Sequence, residues 1–163
     1  MKNFPLTKKQ INIIKNFGNC SSQAIPNMDG FTEINIYNEY FKKYNFKNKN
    51  ILELGPGQCK FLRLFNNNNL FGIDLDPFVK ELGDTLNIEI DNCNGYTNSK
   101  LLNNNTKYDV IFCKGSIDIN NMGEIFFKKM DEYTTDKGII FIIPWLHEAS
   151  LGLKTDLDNI KEN

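Results

Sequence analysis

The chain has 163 residues, of which 40% are hydrophobic and 24% charged, so its composition fits one globular domain that needs no disulfides to bury a core. Its net charge of −1, without a long stretch of Lys and Arg, argues against tight binding to a nucleic-acid backbone. The longest apolar run, residues 138–146, is too short to span a bilayer, so no membrane segment is expected.

Cysteine usage indicates a reducing compartment. The chain has four cysteines, no C-x-x-C pair and a single histidine, so its potential zinc ligands are scattered and no metal site is expected. The first residues contain too few apolar side chains for a signal sequence. Reduced thiols in an acidic chain of this kind predict a cytoplasmic protein.

The N-terminal part, residues 1–46, is predicted to contain helices and a lid. Apolar residues recur at helical spacing over residues 8–17, with Thr7 as the N-cap, and they recur again over residues 33–44. Between these two helices, residues 19–32 are rich in Ser, Pro, Asn, Asp and Gly, which is typical of a loop. This loop is a candidate lid over a binding site.

From residue 47 onward, short apolar strands alternate with helices. This alternation predicts βαβ units and an α/β fold with a doubly wound, mainly parallel sheet, whose strands are buried on both faces. We therefore assign residues 47–146 to the α/β core of a single domain that covers the chain. The predicted strands are 50–55, 70–74, 88–91, 108–113 and 139–143, and the helices begin at residue 61, at Pro77 and at residue 122.

A glycine-containing loop follows the first strand. Gly55 and Gly57 permit unusual backbone angles and close approach of a ligand, and the helix predicted after them presents N–H groups at its start. Asp74 ends the next strand, near the offset at which an acid binds ribose hydroxyls in doubly wound folds. The spacing predicts a nucleotide-type ligand at the carboxyl edge of the sheet. Asp76 precedes Pro77 and is expected to cap the following helix instead.

Residues 52–62 (Leu-Glu-Leu-Gly-Pro-Gly-Gln-Cys-Lys-Phe-Leu) resemble the first motif of class I S-adenosylmethionine (SAM) dependent methyltransferases. Residues 71–77 resemble the second-strand motif of that family, residues 108–116 its fourth strand, and residues 137–140 the turn into its fifth strand. In this order the motifs cover residues 33–146. The resemblance implies a Rossmann-like methyltransferase core, SAM as the cofactor and methyl transfer as the reaction.

The resemblance also implies roles for individual residues. Glu53 would organise the loop near the methionine amino group, and Gly55 and Gly57 would let the backbone pass under SAM. Asp74 would bind the ribose and Leu75 would lie beside the adenine. The full cofactor-binding set that it implies is Glu53, Gly55, Pro56, Gly57, Asp74, Leu75, Asp91 facing the adenine amino group, Asn92 beside it (with Cys93 as the alternative), and Lys114 and Gly115 at the methionine part and methyl group.

Two residues are candidate general bases for a hydroxyl acceptor. His147 is the only histidine, follows the fifth strand and titrates near neutral pH; the alternative is a packing or surface histidine. Asp118 lies just after the fourth strand and is the other candidate.

The chain departs from the family pattern at two places. Cys59 stands where the family has its third loop glycine, which puts close packing of the loop in doubt. Residues 147–163 form a short polar tail where the family continues into two further strands. The expected fold therefore lacks the final β-hairpin.

Three functions compete. The first is a SAM-dependent methyltransferase acting on a small-molecule or sugar-like acceptor. The second is a degenerate or truncated subunit of the same fold that forms homo- or hetero-oligomers through an uncovered sheet edge. The third is an NAD-dependent oxidoreductase, which is disfavoured because Lys60 interrupts the glycine pattern G-x-G-x-x-G.

Overall fold

The computed structural model describes residues 7–16, 37–44, 46–93, 98–114 and 124–143. Several sequence predictions lie outside these residues, namely the lid at 19–32, Gly115, Asp118, His147 and the tail at 147–163. In the part of the chain that the structure describes, no helix is both long and apolar enough to cross a membrane.

The core is a five-stranded sheet in which every neighbouring pair is parallel, and its strand order is β3-β2-β1-β4-β5. The predicted doubly wound α/β fold is therefore confirmed. The direction of strand addition reverses between β1 and β4, which makes their carboxyl ends the switch point where such sheets bind ligands. The strands are β1 (Asn50–Leu54), β2 (Asn69–Asp74), β3 (Glu89–Asn92), β4 (Tyr108–Lys114) and β5 (Thr134–Ile143).

Helices cover both faces of the sheet. On one face Ile51 and Phe112 pack against α2 and the short helical turns, while on the other Leu52 and Ile111 pack against α3 and α4. Successive strand residues thus enter opposite cores, because side chains alternate along a strand. The helices are α1 (Lys8–Asn16), α2 (Pro77–Leu86), α3 (Lys100–Asn103) and α4 (Glu124–Tyr133), and the turns are Tyr37–Phe41, Lys42–Tyr44 and Leu62–Phe65.

An aromatic cluster fixes the turns to the first face. The ring of Phe41 lies 5.1 Å from that of Phe112 and 4.7 Å from that of Phe141, both edge to face. Phe61 and Phe65 each lie 5.0 Å from Phe112. Aromatic pairs at such distances add to the energy of burial, so this cluster holds the segment before β1 and the turn after it on one surface.

The N-cap predicted for α1 is confirmed, and it is half of a reciprocal capping box. The Gln10 amide N–H donates to Thr7 Oγ1 at 3.2 Å, and the Thr7 N–H donates to Gln10 Oε1 at 2.8 Å. Gln10 Nε2 also donates to Thr85 Oγ1 at 3.2 Å. The same glutamine therefore starts α1 and attaches it to α2.

Two local predictions were wrong, and one helix was not predicted. The helix expected from residue 61 is a single 3-10 turn, Leu62–Phe65, because Asn68 Nδ2 donates to the Phe65 carbonyl at 2.9 Å and β2 begins at the next residue, Asn69. The helix expected over residues 33–44 is, where described, a π turn followed by a 3-10 turn. The short helix α3 was missed.

The fifth strand begins five residues earlier than expected and contains an irregularity. Tyr108 is paired with Thr134, but Val110 is paired with Ile139, so β5 carries extra residues at this point. A Cβ on Gly138 would lie 2.2 Å from Thr134 Cγ2 and 3.0 Å from the Tyr108 carbonyl oxygen. Only glycine fits where the two strands approach this closely.

Candidate functional site

The loop after β1 has three residues in the left-handed region: Gly55 at φ +69°, Gly57 at +50° and Cys59 at +54°. The Gly55 N–H donates to the Ile73 carbonyl at 2.8 Å and so extends the pairing of β1 with β2. The Cys59 N–H donates to the Pro56 carbonyl at 2.8 Å, which closes a turn over residues 56–59. These bonds hold the loop at the carboxyl edge of the sheet.

The surface at Gly57 is open. A Cβ added there would meet no heavy atom within 4 Å, whereas one added at Gly72 would lie 2.5 Å from Ile90 Cδ1 and 2.7 Å from Pro56 Cγ. Gly72 is therefore needed for packing under the loop. Gly57 instead combines a left-handed backbone with uncovered space, which is what a loop needs if a ligand is to pass directly over its backbone.

Cys59 fits the position of the missing third glycine. Its side chain is fully buried, and its Sγ lies 3.7 Å from the Gly57 carbonyl oxygen, to which it donates. Burial, together with the nearby charges of Glu53 and Asp74, raises the pKa of the thiol far above its usual value. Cys59 is therefore an unreactive packing thiol that tolerates a left-handed conformation, which costs a non-glycine residue about 1–2 kcal/mol.

The Asp74 carboxylate joins the loop to the end of β2. Its Oδ2 accepts the Gly57 N–H at 3.0 Å, and its Oδ1 accepts the Asp76 N–H at 2.9 Å. Burial raises the pKa of this carboxyl, although backbone hydrogen bonds from Asp76, Gly57 and Leu75 act in the opposite direction. A carboxylate offers about four lone-pair sites, so this one retains some capacity to accept hydrogen bonds from a ligand.

The raised pKa of Asp74 predicts a pH-dependent stability. Because the folded-state pKa lies above the ordinary 3.8, the folded state binds the proton more tightly than the unfolded state. The stability that protonation contributes is then lost as the pH rises through the folded-state pKa. We expect the free energy of unfolding of the wild type, minus that of Asp74→Asn, to decrease as the pH is raised from 3.8 towards neutrality. Urea unfolding across this range measures it.

The free energy of unfolding of the wild type is compared with that of Asp74→Asn because other carboxyls change the stability in the opposite direction as the pH rises. Desolvation opposes ionisation of Asp91 and Asp109, but their hydrogen bonds dominate and lower the pKa of each. Both residues are present in wild type and variant, so their effects cancel in the subtraction. A difference that increases with pH would contradict the assignment for Asp74.

The ends of β2 and β3 are joined by Asn92. Its Nδ2 donates to the Asp74 carbonyl at 3.0 Å and to the Leu75 carbonyl at 2.8 Å. Leu75 itself is 69% exposed, although its backbone is held in place. An exposed leucine on a fixed backbone beside Asp74 suits the face of a planar ring. Asp76 caps α2, as predicted, by accepting the Phe78 N–H at 2.9 Å.

Asp91 lies at the same edge, beside Ile73 in the register of β2 and β3. Its Oδ2 accepts hydrogen bonds from Ser99 Oγ at 2.8 Å and from the Lys100 N–H. Ser99 in turn caps α3 by accepting the Leu101 N–H at 3.2 Å. Asp91 thus anchors the start of α3, and its contact with an adenine amino group stays a prediction.

Glu53 is fully buried in β1, between Gly72 of β2 and Phe112 of β4. It lies two residues before Gly55, on the strand that leads directly into the loop. A carboxyl inside an apolar strand is costly to bury unless it has partners, which favours a role at the site over a role in packing alone. The position supports the predicted role of Glu53 in organising the loop.

Gln58 was not selected by the sequence reasoning. Its Nε2 and Oε1 atoms are buried and have no hydrogen-bond partner among the residues that the structure describes. A glutamine in a loop carries no spacing signal, so only the three-dimensional arrangement reveals it.

The structure brings most of the predicted cofactor residues to one edge of the sheet. Lys114 ends β4 at this same edge. Across the described ranges no group of three or more His, Cys, Asp or Glu side chains is placed to hold a metal ion. The residues assembled here are Glu53, Gly55, Pro56, Gly57, Asp74, Leu75, Asp91 and Asn92.

No protein-family model and no curated protein sequence matches this chain. Among solved structures, precorrin 8w decarboxylase from Methanobacterium thermoautotrophicum is similar, with a TM-score of 0.54, 13% identity, and coverage of 80% of this chain and 70% of that one. YJHP from E. coli has a TM-score of 0.52 and 22% identity over 70% of this chain and 49% of that one. Coclaurine N-methyltransferase, bound to N-methylheliamine and S-adenosylhomocysteine (SAH), has a TM-score of 0.51 and 18% identity over 68% of this chain and 35% of that one.

These similarities show the fold, which is the Rossmann-like α/β core expected from the motifs. The chain spans about half the length of the E. coli protein and about a third of the N-methyltransferase. One of the three similar proteins is named a decarboxylase, so the shared core does not by itself define a reaction.

Proposed function

We propose that this chain, which has the Rossmann-like methyltransferase fold, binds SAM at the loop after β1 and transfers its methyl group to a small-molecule or sugar-like acceptor. The observation that carries the proposal is the Asp74 carboxylate bonded to the Gly57 N–H, beside open space and an exposed leucine. The structurally similar N-methyltransferase binds SAH, the demethylated product of SAM, which supports the same cofactor here.

Each part of the site suits one part of this cofactor. Asp74 can accept hydrogen bonds from both ribose hydroxyls, and Leu75 offers an apolar surface to the adenine ring. Gly57 allows the ligand to lie against the loop backbone. Glu53, on the strand that leads into the loop, is proposed to organise the loop near the methionine amino group.

The chemistry requires little from the protein. SAM supplies a methyl group activated by a sulfonium, so the chain contributes mainly alignment of the acceptor and exclusion of water. A hydroxyl acceptor gains from a general base, for which His147 and Asp118 are our candidates, whereas an amine acceptor needs none. Lys114 and Gly115 are proposed to face the methionine part, since Lys114 ends β4, the strand next to β1, and Gly115 follows it in the chain.

A calorimetric titration with SAH, with NAD as the control ligand, tests the proposal. We expect saturable binding of SAH and none of NAD. In Gly57→Ala we expect the affinity for SAH to fall at least about 10-fold, because the new methyl group enters the space left for the ligand. The left-handed backbone also costs the variant about 1–2 kcal/mol of stability.

Asn87→Ala is the matched control for Gly57→Ala. Asn87 has φ +55° at the end of α2, so alanine there carries a similar backbone penalty away from the loop. We expect this variant to bind SAH like the wild type. Preferential binding of NAD would favour an oxidoreductase, and unchanged SAH affinity in Gly57→Ala would place the ligand elsewhere.

A second candidate function is that of an interaction subunit on the same fold. It is favoured by β5, which forms one edge of the described sheet and carries Ile139, 36% exposed. An apolar edge strand is a template for pairing with another chain. A monomer in light scattering that also turns over methyl groups would exclude this reading, whereas a stable oligomer without SAH binding would favour it.

A further inference from the structure

The strand β5 has the composition of an interior strand, but it forms one edge of the described sheet. Residues 139–143 read Ile-Ile-Phe-Ile-Ile, a continuous apolar run of the kind that a parallel sheet buries on both faces. Residues 138–142 are nevertheless all partly exposed, whereas residues 110–113 of the neighbouring β4 are all buried. The second half of β5 therefore has apolar surface that one more strand would cover.

The opposite edge of the sheet is protected from pairing in a way that β5 is not. The edge strand β3 has only four residues, and three of them are Glu89, Asp91 and Asn92. Short length and charged side chains are usual means by which proteins keep an edge strand from pairing with another chain. In β5 the only charges are Asp136 and Lys137, which precede the apolar run. That run is a template for a further strand.

The apolar surface of β5 continues onto the turn before β1. Ile139 and Phe141 lie on the same face of the strand, because alternate residues of a strand share a face. The Tyr44 ring is 44% exposed, lies 5.8 Å from the Phe141 ring and stacks on the Phe46 ring at 5.4 Å. We call the surface made of these four side chains the β5 patch. An exposed apolar patch beside an unpaired strand is typical of a site that binds an extended peptide.

Lysines border the β5 patch. Lys42, Lys43 and Lys47 are exposed, and Lys43 Nζ lies 5.4 Å from the centre of the Tyr44 ring. Glu39 is the one acid in the same stretch of sequence. The excess of positive charge favours an acidic partner. It disfavours a second copy of this chain, because a two-fold interface would set the same lysines of both copies against each other.

We propose that the edge of β5 binds an extended segment of another protein that has apolar side chains at alternate positions and acidic residues at its ends. The segment pairs with β5 through main-chain hydrogen bonds, its apolar side chains cover the β5 patch, and its acids lie near the three lysines. This inference rests on the interaction role considered above and is independent of SAM binding, since β4 separates β5 from β1.

Two labelled peptides test the proposal on the full chain. Both alternate valine with threonine, and one has two glutamates at each end where the other has two lysines. By fluorescence anisotropy we expect the glutamate-flanked peptide to bind at least about 10-fold more tightly. Methylation of its alternate backbone nitrogens on the side that pairs should abolish binding, because those N–H groups donate to β5.

Three variants locate the surface. Ile139→Lys should weaken binding of the glutamate-flanked peptide at least about 10-fold, although the added positive charge alone would strengthen it. Ile125→Lys is the matched control, because Ile125 is 75% exposed on α4, which covers the other face of the sheet, and we expect unchanged binding. Replacing Lys42 and Lys43 together with glutamate should reverse the preference between the two peptides.

Equal binding of the two peptides would overturn the acidic partner, and equal losses in Ile139→Lys and Ile125→Lys would overturn the location at β5. A dimer in light scattering that becomes a monomer in Ile139→Lys would show that a second copy occupies the edge, which also contradicts the proposal. A chain that binds neither peptide would overturn the interaction role itself, whereas the SAH titration tests the cofactor site separately.

Discussion

Replacing Asp74 with alanine is expected to weaken SAH binding by about 100-fold while the chain stays folded. Hydrogen bonds to a charged group are worth about 1.5–3 kcal/mol each, and two to the ribose correspond to at least two factors of ten in affinity. The variant also loses the contact that holds the Gly57 N–H at the end of β2. Calorimetric titration of both proteins with SAH at one fixed pH measures the loss.

Asp76→Asn is the matched control. It removes one negative charge two residues away but keeps a side chain that caps helices well, so α2 should be retained. We expect its affinity for SAH to remain within about threefold of the wild type. Equal losses in the two variants would mean that charge alone, not the contact with Asp74, favours the ligand.

Replacing Phe112 with alanine is expected to have the largest effect on stability. Its side chain is fully buried in β4, and the rings of Phe41, Phe61 and Phe65 lie within 5.0–5.1 Å of it. Truncating such a side chain removes its burial and leaves a cavity, which together cost about 3–5 kcal/mol. Urea unfolding should show a large decrease in the midpoint at an unchanged m value.

Phe127→Ala is the control for Phe112→Ala. Phe127 lies on α4 and is 45% exposed, so its truncation removes the same atoms from a half-solvated position. We expect a loss of about 1 kcal/mol or less. If the two truncations cost the same, the aromatic cluster does not form the core of the first face.

The sheet could be predicted from the sequence because its strands are buried on both faces. Residues 51–54 and 110–113 are almost wholly apolar, and such short runs between turn residues have few alternatives to a parallel sheet. The acid that ends β2 was found for a related reason. Parallel strands have their carboxyl ends at the same edge of the sheet. Gly55 and Asp74, which lie at the ends of neighbouring strands, are therefore close in space although they are far apart in the chain.

The parts that escaped prediction depend on tertiary contacts. The turn Leu62–Phe65 has the apolar residues of a longer helix, but it ends after one turn because Asn68 Nδ2 donates to the carbonyls of Phe65 and Phe46 and β2 begins directly after it. The helix α3 depends on a hydroxyl at Ser99 that is itself held by Asp91. The buried amide of Gln58 has no counterpart in any local pattern.

The position of β1 between β2 and β4 has a consequence for the order in which the chain folds. Asn50, at the start of β1, donates to Asp109, which comes 59 residues later. The ribosome adds about 5–20 residues per second, so β1 is synthesised several seconds before β4, its second neighbour in the sheet. During that time its apolar edge is accessible to chaperones and to other nascent chains. We therefore expect the pairing of β1 with β4 to limit the rate of folding, since contacts distant in sequence form slowly.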